Sequence, residues 1–196
     1  MPGLDVPLDD ARDCFEVNFF AVVAITQCFV PFLIPAKGVI VNVGSVAAIV
    51  PYVFGSVYNA SKAALHSYSQ TLRLELEPFG VRMLVVVTGG VKSNIARTHR
   101  VLPKDSLYLD IVDDFERRLV HSQDGAMRND IYARSVVAET LRPAWRQRKW
   151  LWSGNKTFLI WFVRSFFGAW LFDRILPRMF GLDRLKKLVR DRESRP

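Results

Sequence analysis

Ser45, Tyr58 and Lys62 are of the types, and at the spacing, that carbonyl redox chemistry requires. Delivering a hydride to a ketone needs an acid beside the carbonyl oxygen, and a free tyrosine, with a pKa near ~10, is a poor acid at neutral pH. A neighbouring ammonium improves it. In Tyr58-Asn59-Ala60-Ser61-Lys62 the tyrosine and the lysine stand at i and i+4 of a segment that reads as helix. Both side chains then leave one face, and the lysine charge favours the tyrosinate. Ser45 closes the apolar run Gly38-Val39-Ile40-Val41-Asn42-Val43-Gly44 and can hold the same oxygen through its hydroxyl. An amphipathic helix produces a Tyr-x-x-x-Lys by chance. What selects this one is its context, a strand, a Gly-Ser end, a loop and the helix in that order.

Three strands are predicted, at residues 38–43, 81–87 and 149–152, and they alternate with long helices. That alternation predicts parallel pairing in an α/β layer. The first helix is expected to start at Asp9-Asp10 and run through Phe32, with Pro31 and Pro35 breaking it. The helix carrying Tyr58 and Lys62 should continue to Glu77 and stop at Pro78-Phe79-Gly80. At 196 residues the chain suits one domain with a real core.

This arrangement resembles the short-chain dehydrogenase/reductase family, whose catalytic Ser, Tyr and Lys match Ser45, Tyr58 and Lys62. In Phe15-Glu16-Val17-Asn18-Phe19-Phe20, Asn18 matches the asparagine that completes the family's tetrad by holding a water in the proton relay. Thr88-Gly89-Gly90-Val91-Lys92-Ser93 stands where the family has Pro-Gly, then Val or Ile, then Thr. The resemblance implies that Gly90 lets the backbone approach a nicotinamide, with Val91 and Ser93 meeting its carboxamide and Lys62 its ribose. Thr88 replaces the proline. The implied cofactor is NADP in its NADPH form, with NAD left open. The implied fold is the C-terminal half of a Rossmann-like, doubly wound parallel sheet, and the implied assembly a homodimer through the helices that hold Asn18 and Tyr58. Residues 97–125 would form the variable substrate-covering region.

The family's glycine-rich pyrophosphate turn and its Asn-Asn-Ala-Gly do not occur in the sequence. Met1-Pro2-Gly3-Leu4-Asp5-Val6 resembles the segment that follows that motif, so the chain is expected to begin mid-family, with strand 38–43 left as a sheet edge. Two roles follow. One is an NAD(P)H-dependent ketone reductase; the other is a truncated, non-catalytic relative that binds or dimerises with a full-length homologue.

Charge divides the chain. Residues 1–141 hold 13 Lys and Arg against 15 Asp and Glu, whereas residues 142–196 hold 14 against 4 and all five tryptophans. Residues 1–152 are therefore expected to form the catalytic half, and residues 153–196 a helical, aromatic and basic extension. Its basic residues interrupt the apolar blocks 158–163 and 166–172, which excludes a nucleic-acid arm. The block 157–172 is short of the ~20 residues a spanning helix needs, and Arg164 would cost about 2.5 to 3.5 kcal/mol at the bilayer centre. An interfacial helix or a re-entrant hairpin on anionic lipid is the expectation, and a lid over the pocket or a subunit contact the alternative. Thr88-Gly89-Gly90, the run Tyr68-Ser69-Gln70-Thr71-Leu72-Arg73 and this aromatic extension resemble the fungal NADPH-dependent 1-acyldihydroxyacetone-phosphate reductase branch. That implies a small-molecule ketone, an acyl lipid or a natural-product ketone, and an intracellular site at endoplasmic reticulum or lipid-droplet membranes. Cys14 and Cys28, separated by ~21 Å along one helix, cannot bridge. His66, His99 and His121 have no metal-like spacing and are assigned no chemistry.

Overall fold

The computed structural model describes residues 1–97 and 100–194, so His99 lies outside the described residues. Strands β1 (Val39–Val43), β2 (Arg82–Thr88) and β3 (Trp150–Ser153) form a parallel sheet in the order β1-β2-β3. The register aligns Val41 with Leu84, and Val86 with Leu151. β2, apolar at nearly every position, is the buried central strand, as a parallel sheet covered on both faces requires. Among the described residues no strand pairs with the outer edge of β1, and Val43 there is half exposed.

The helix ahead of β1 runs as α1 (Leu8–Phe15), a π-helical turn (Glu16–Phe20) and α2 (Ala21–Ala36). It does not break at Pro31 or Pro35, contrary to the sequence expectation, and ends only at Lys37, which takes a left-handed conformation (φ 47°). Both prolines are exposed, and their i, i+4 spacing places them on one face. The carbonyls they leave without an intrahelical donor, those of Gln27 and Pro31, therefore face water, where the loss is small. By length and composition Leu8–Ala36 is apolar enough to cross a membrane. Its first turns are acidic, however, and it packs on α3 (Ser56–Leu76) through Cys14, Asn18 and Phe19, against Ser61 and Tyr68. Both cysteines are free.

α3 runs through Leu76 and turns off through a 3-10 segment (Glu77–Phe79) into Gly80 (φ 74°), as the Pro-Phe-Gly sequence predicts. Past β2 come α4 (Val112–His121) and α5 (Asn129–Thr140), and past β3 come α6 (Thr157–Phe166), α7 (Trp170–Met179) and α8 (Leu182–Glu193). Phe172, Leu176 and Phe180 are buried in the same cluster as Val50, Phe54, Ile111 and Phe115. The extension is thus built into the core beside the loop that leads to Tyr58. Ion pairs secure it, with Asp114 of α4 taking Arg184 at 2.9 Å and Asp110 taking Arg192 at 2.7 Å.

Candidate active site

The Ser45, Tyr58 and Lys62 side chains line one cavity of about 440 Å³ at the C-terminal ends of β1 and β2, together with Gly90, Val91 and Ser93. In an open parallel sheet this is the end where ligands are bound. Ser45 follows β1 and caps a short 3-10 turn; its Oγ accepts the Ala47 amide at 3.1 Å, which leaves the hydroxyl hydrogen free to donate. Lys62 donates from Nζ to the Val43 carbonyl at 3.1 Å and lies 6.0 Å from the Tyr58 ring centroid.

Several neighbours act on the acidity of Tyr58. Burial raises the Tyr58 pKa above its ordinary value, the hydrogen bond with Ser45 lowers it, and the cation that lowers it is Arg118. Lys62 itself is pushed down, chiefly by burial. With one donor on the Val43 carbonyl, Lys62 stands on the same face of α3 as Tyr58 and has two further N–H donors.

Asn18 does not reach this cavity. It lines a second one, about 530 Å³, between α2 and β1, and the two cavities share Lys62. Its Nδ2 donates to Ser61 Oγ at 3.1 Å and to Cys14 Sγ at 3.4 Å. The π-helical turn places it there; such turns recur at functional sites because they redirect one side chain without ending the helix.

His66, left without chemistry on sequence grounds, is a buried neighbour of the site. Its Nε2 accepts the Ser45 amide at 3.2 Å, and its ring packs edge-on against Trp150 of β3. Accepting that bond requires a neutral ring, and burial together with the Lys62 charge lowers its pKa to about 4. Gly44 is needed for this fit, because a Cβ there would sit 2.0 Å from His66 Nε2. The sequence carried a signal for it: Tyr58, Lys62 and His66 stand at i, i+4 and i+8.

The loop after β2 is stitched to the loop after β3. Gly89 N donates to Ser153 O at 2.9 Å, and Asn155 N to Gly90 O at 2.9 Å. A Cβ on Gly89 would meet Asn155 O at 2.2 Å, so this glycine serves the approach of two protein loops. Thr88, in the place of a proline, bonds Tyr132 of α5 through the two hydroxyls at 2.7 Å. Beyond it, Gln123 Nε2 donates to Val91 O at 3.2 Å and Ser93 N donates to Gln123 Oε1 at 3.0 Å. A primary carboxamide is thus held by the two residues assigned to a nicotinamide carboxamide, which shows that they fit that group. Ser93 holds it through its amide, since the Ser93 hydroxyl accepts the Ile95 amide at 3.4 Å. No sequence signal marked Gln123.

A Ser, a Tyr and a Lys converging at the C-terminal end of a parallel α/β sheet is the arrangement of the short-chain dehydrogenases, and comparison agrees. The family model described as short chain dehydrogenase matches residues 2–101. The chain is 37% identical over 189 residues to a short-chain dehydrogenase of Neurospora crassa, covering 95% of this chain and 64% of that protein. It is 35% identical over 196 residues to the NADPH-dependent 1-acyldihydroxyacetone phosphate reductase of Saccharomyces cerevisiae, covering 98% of this chain and 65% of that one. A solved short-chain dehydrogenase of Streptomyces avermitilis matches in fold at a TM-score of 0.69 and 18% identity, covering 96% of this chain and 66% of that one. One from Burkholderia cenocepacia, solved in complex with NADP, matches at 0.66 and 24%, covering 90% and 63%. The chain belongs to the short-chain dehydrogenase family. It spans about 64% of the length of the first of these curated relatives.

Proposed function

We propose that this chain carries the proton-transfer half of an NADPH-dependent ketone reductase acting on a lipid-like substrate. The observation that carries the reading is the convergence of Ser45, Tyr58 and Lys62 on one cavity beside Gly90, Val91 and Ser93. When bound, the nicotinamide would supply the hydride, with Val91 O and Ser93 N holding its carboxamide in place of Gln123. Ser45 Oγ, its lone pair engaged by Ala47, donates its hydrogen to the ketone oxygen. Tyr58 Oη gives the proton as that oxygen gains charge. Lys62 carries two further N–H donors for a ribose or for the relay toward Asn18. The names of the Saccharomyces cerevisiae and Schizosaccharomyces pombe relatives support NADPH and a 1-acyldihydroxyacetone phosphate type of ketone; NADH and a natural-product ketone are the competing cofactor and substrate. A homodimer through the α2 and α3 surfaces and an intracellular membrane location, at endoplasmic reticulum or lipid droplets, belong to the same proposal.

The test is turnover of a ketone by the protein complemented with a glycine-rich dinucleotide-binding half. Tyr58→Phe should lower kcat by about 100-fold or more and leave KM nearly unchanged, because only the proton donor is removed. A variant that keeps most of the wild-type rate would sink the assignment.

A second reading is favoured by the open β1 edge and the exposed apolar residues Ile25, Phe29 and Phe32 of α2. In that reading the chain is a non-catalytic partner that pairs with a full-length homologue through this face. Co-purification with that homologue, without turnover by the complemented chain, would favour it.

A further inference from the structure

One wall of the active-site cavity, formed by Arg100, α4 and the residue that opens α6, gathers three cations, of which the reading above uses only Arg118, beside Tyr58. Arg100, Arg118 and Lys156 all line it, beside Tyr52 and His121. Arg118 Nε donates to Val53 O at 2.7 Å and its guanidinium lies over the Tyr52 ring at 4.3 Å. Tyr52 Oη lies 2.7 Å from His121 Nδ1, and His121 Nε2 lies 3.4 Å from Lys156 Nζ. A lysine ammonium can only donate, so Nε2 accepts and the neutral ring carries its proton on Nδ1, directed at Tyr52 Oη. The Tyr52 hydroxyl hydrogen is then left for a ligand.

These charges are unmatched. Elsewhere the buried carboxylates are paired, Asp114 with Arg117 and Arg184, and Glu139 with Arg142 and Arg148. Among the described residues, no carboxylate lies within ion-pair distance of Arg100, Arg118 or Lys156, and Asp124 is the one acid in the cavity lining. Leaving a half-buried guanidinium without a counter-charge is costly unless a ligand provides one. Lys156 is also held in a left-handed conformation (φ 63°), a state a non-glycine residue occupies at a cost.

We propose that this wall is the subsite for a phosphate ester carried by the ketone substrate, gripped by Arg100, Arg118, Lys156 and the Tyr52 hydroxyl. Three cations and one hydroxyl donor suit a dianion better than a single carboxylate, and the planar guanidinium fork matches phosphate oxygens. The inference rests on the reductase reading of the cavity and adds the residues that would hold the charged end of its substrate. It separates a phosphorylated lipid precursor from a neutral ketone.

Binding alone provides the test, so its outcome does not depend on turnover in the Tyr58→Phe experiment. The full chain is titrated with glycerol 3-phosphate and with glycerol, each followed by NMR of arginine side-chain and backbone amides. Glycerol 3-phosphate should saturate, shift the Arg118 Nε–H signal and bind unaffected by nicotinamide mononucleotide; glycerol should not bind. Lys156→Gly, which suits the left-handed backbone, and Arg100→Gln should each weaken glycerol 3-phosphate about tenfold. Unchanged affinity in both variants, or equal binding of glycerol, overturns the subsite. Competition with nicotinamide mononucleotide also overturns it, because the wall would then belong to the cofactor's phosphates.

Discussion

Ser45 is placed by a histidine that has to stay neutral, and this gives the site a dependence on pH that the catalytic residues themselves do not impose. The folded-state pKa of His66, about 4, lies below its ordinary 6.5, with burial the main cause. Between those values the unfolded chain binds more protons than the folded one, so stability is complete above pH 6.5 and drains away as pH falls toward 4. Thermal melts should show the midpoint falling below pH 6.5, before most carboxylates titrate. His66→Gln, which can still accept from the Ser45 amide, should flatten that stretch; an unchanged slope would mean that His66 does not govern it. Tyr58 titrates on the other side. Its pKa lies above the ordinary 10, so the reductive rate should hold to that pH and fall only beyond it. At this scale Ser45, Tyr58 and Lys62 were legible because fixed spacing on one helix and one strand end is enough to juxtapose them. Arg118, Tyr52, His121 and Gln123 were not, since residues some 70 positions apart meet only once α4 is packed against the loop ahead of α3.

At the scale of elements, the strands, their parallel order and the end of α3 followed from apolar runs and turn residues. Where reading by pattern failed, solvent was the reason. Pro31 and Pro35 stop a buried helix, but an exposed one carries them through because water satisfies the freed carbonyls. The extension beyond β3 has two kinds of helix face. α7 turns inward as a core element, while α6 turns Thr157, Ile160 and Val163 inward and leaves Phe158, Phe162 and Phe166 exposed, Phe158 by 72%. The exposed rings contact one another, Phe162 and Phe166 at 4.8 Å, and Arg164, Lys186 and Lys187 form no ion pair among the described residues. The membrane contact proposed above would use this aromatic face of α6. Substituting Phe158, Phe162 and Phe166 together by serine should reduce recovery with anionic liposomes in flotation on the order of a hundredfold, while melting stays near wild type. Deleting residues 155–196 would be a poorer probe, since it also removes Phe172, Leu176 and Phe180 from the core. If the triple variant floats as well as the wild type, the aromatic face contacts protein instead of lipid.

For the whole molecule, the division of charge acquires a structural meaning: the basic segment answers acids of the first part of the chain, Arg184 at Asp114, Arg192 at Asp110, and Arg142 and Arg148 at Glu139. In the reading proposed above, a dinucleotide would find only its nicotinamide-end partners here, since the sequence has no glycine-rich turn to supply backbone amides to the pyrophosphate. Calorimetric titration of the 196-residue protein with NADPH and with NADH should therefore give no saturable micromolar isotherm. A clear one with either would establish a minimal reductase and dispose of the non-catalytic reading. One further consequence comes from α6. Its inner face brings Ile160 to the cavity while its outer face displays the aromatic rings, and it starts at Thr157, two residues after the Asn155 that is bonded to Gly90. Laid on a bilayer by that outer face, the protein would hold its reacting carbonyl about one helix diameter, ~10 Å, from the headgroups. An acylated substrate would then need to lift only its polar end out of the lipid, leaving its hydrocarbon chain where it already dissolves.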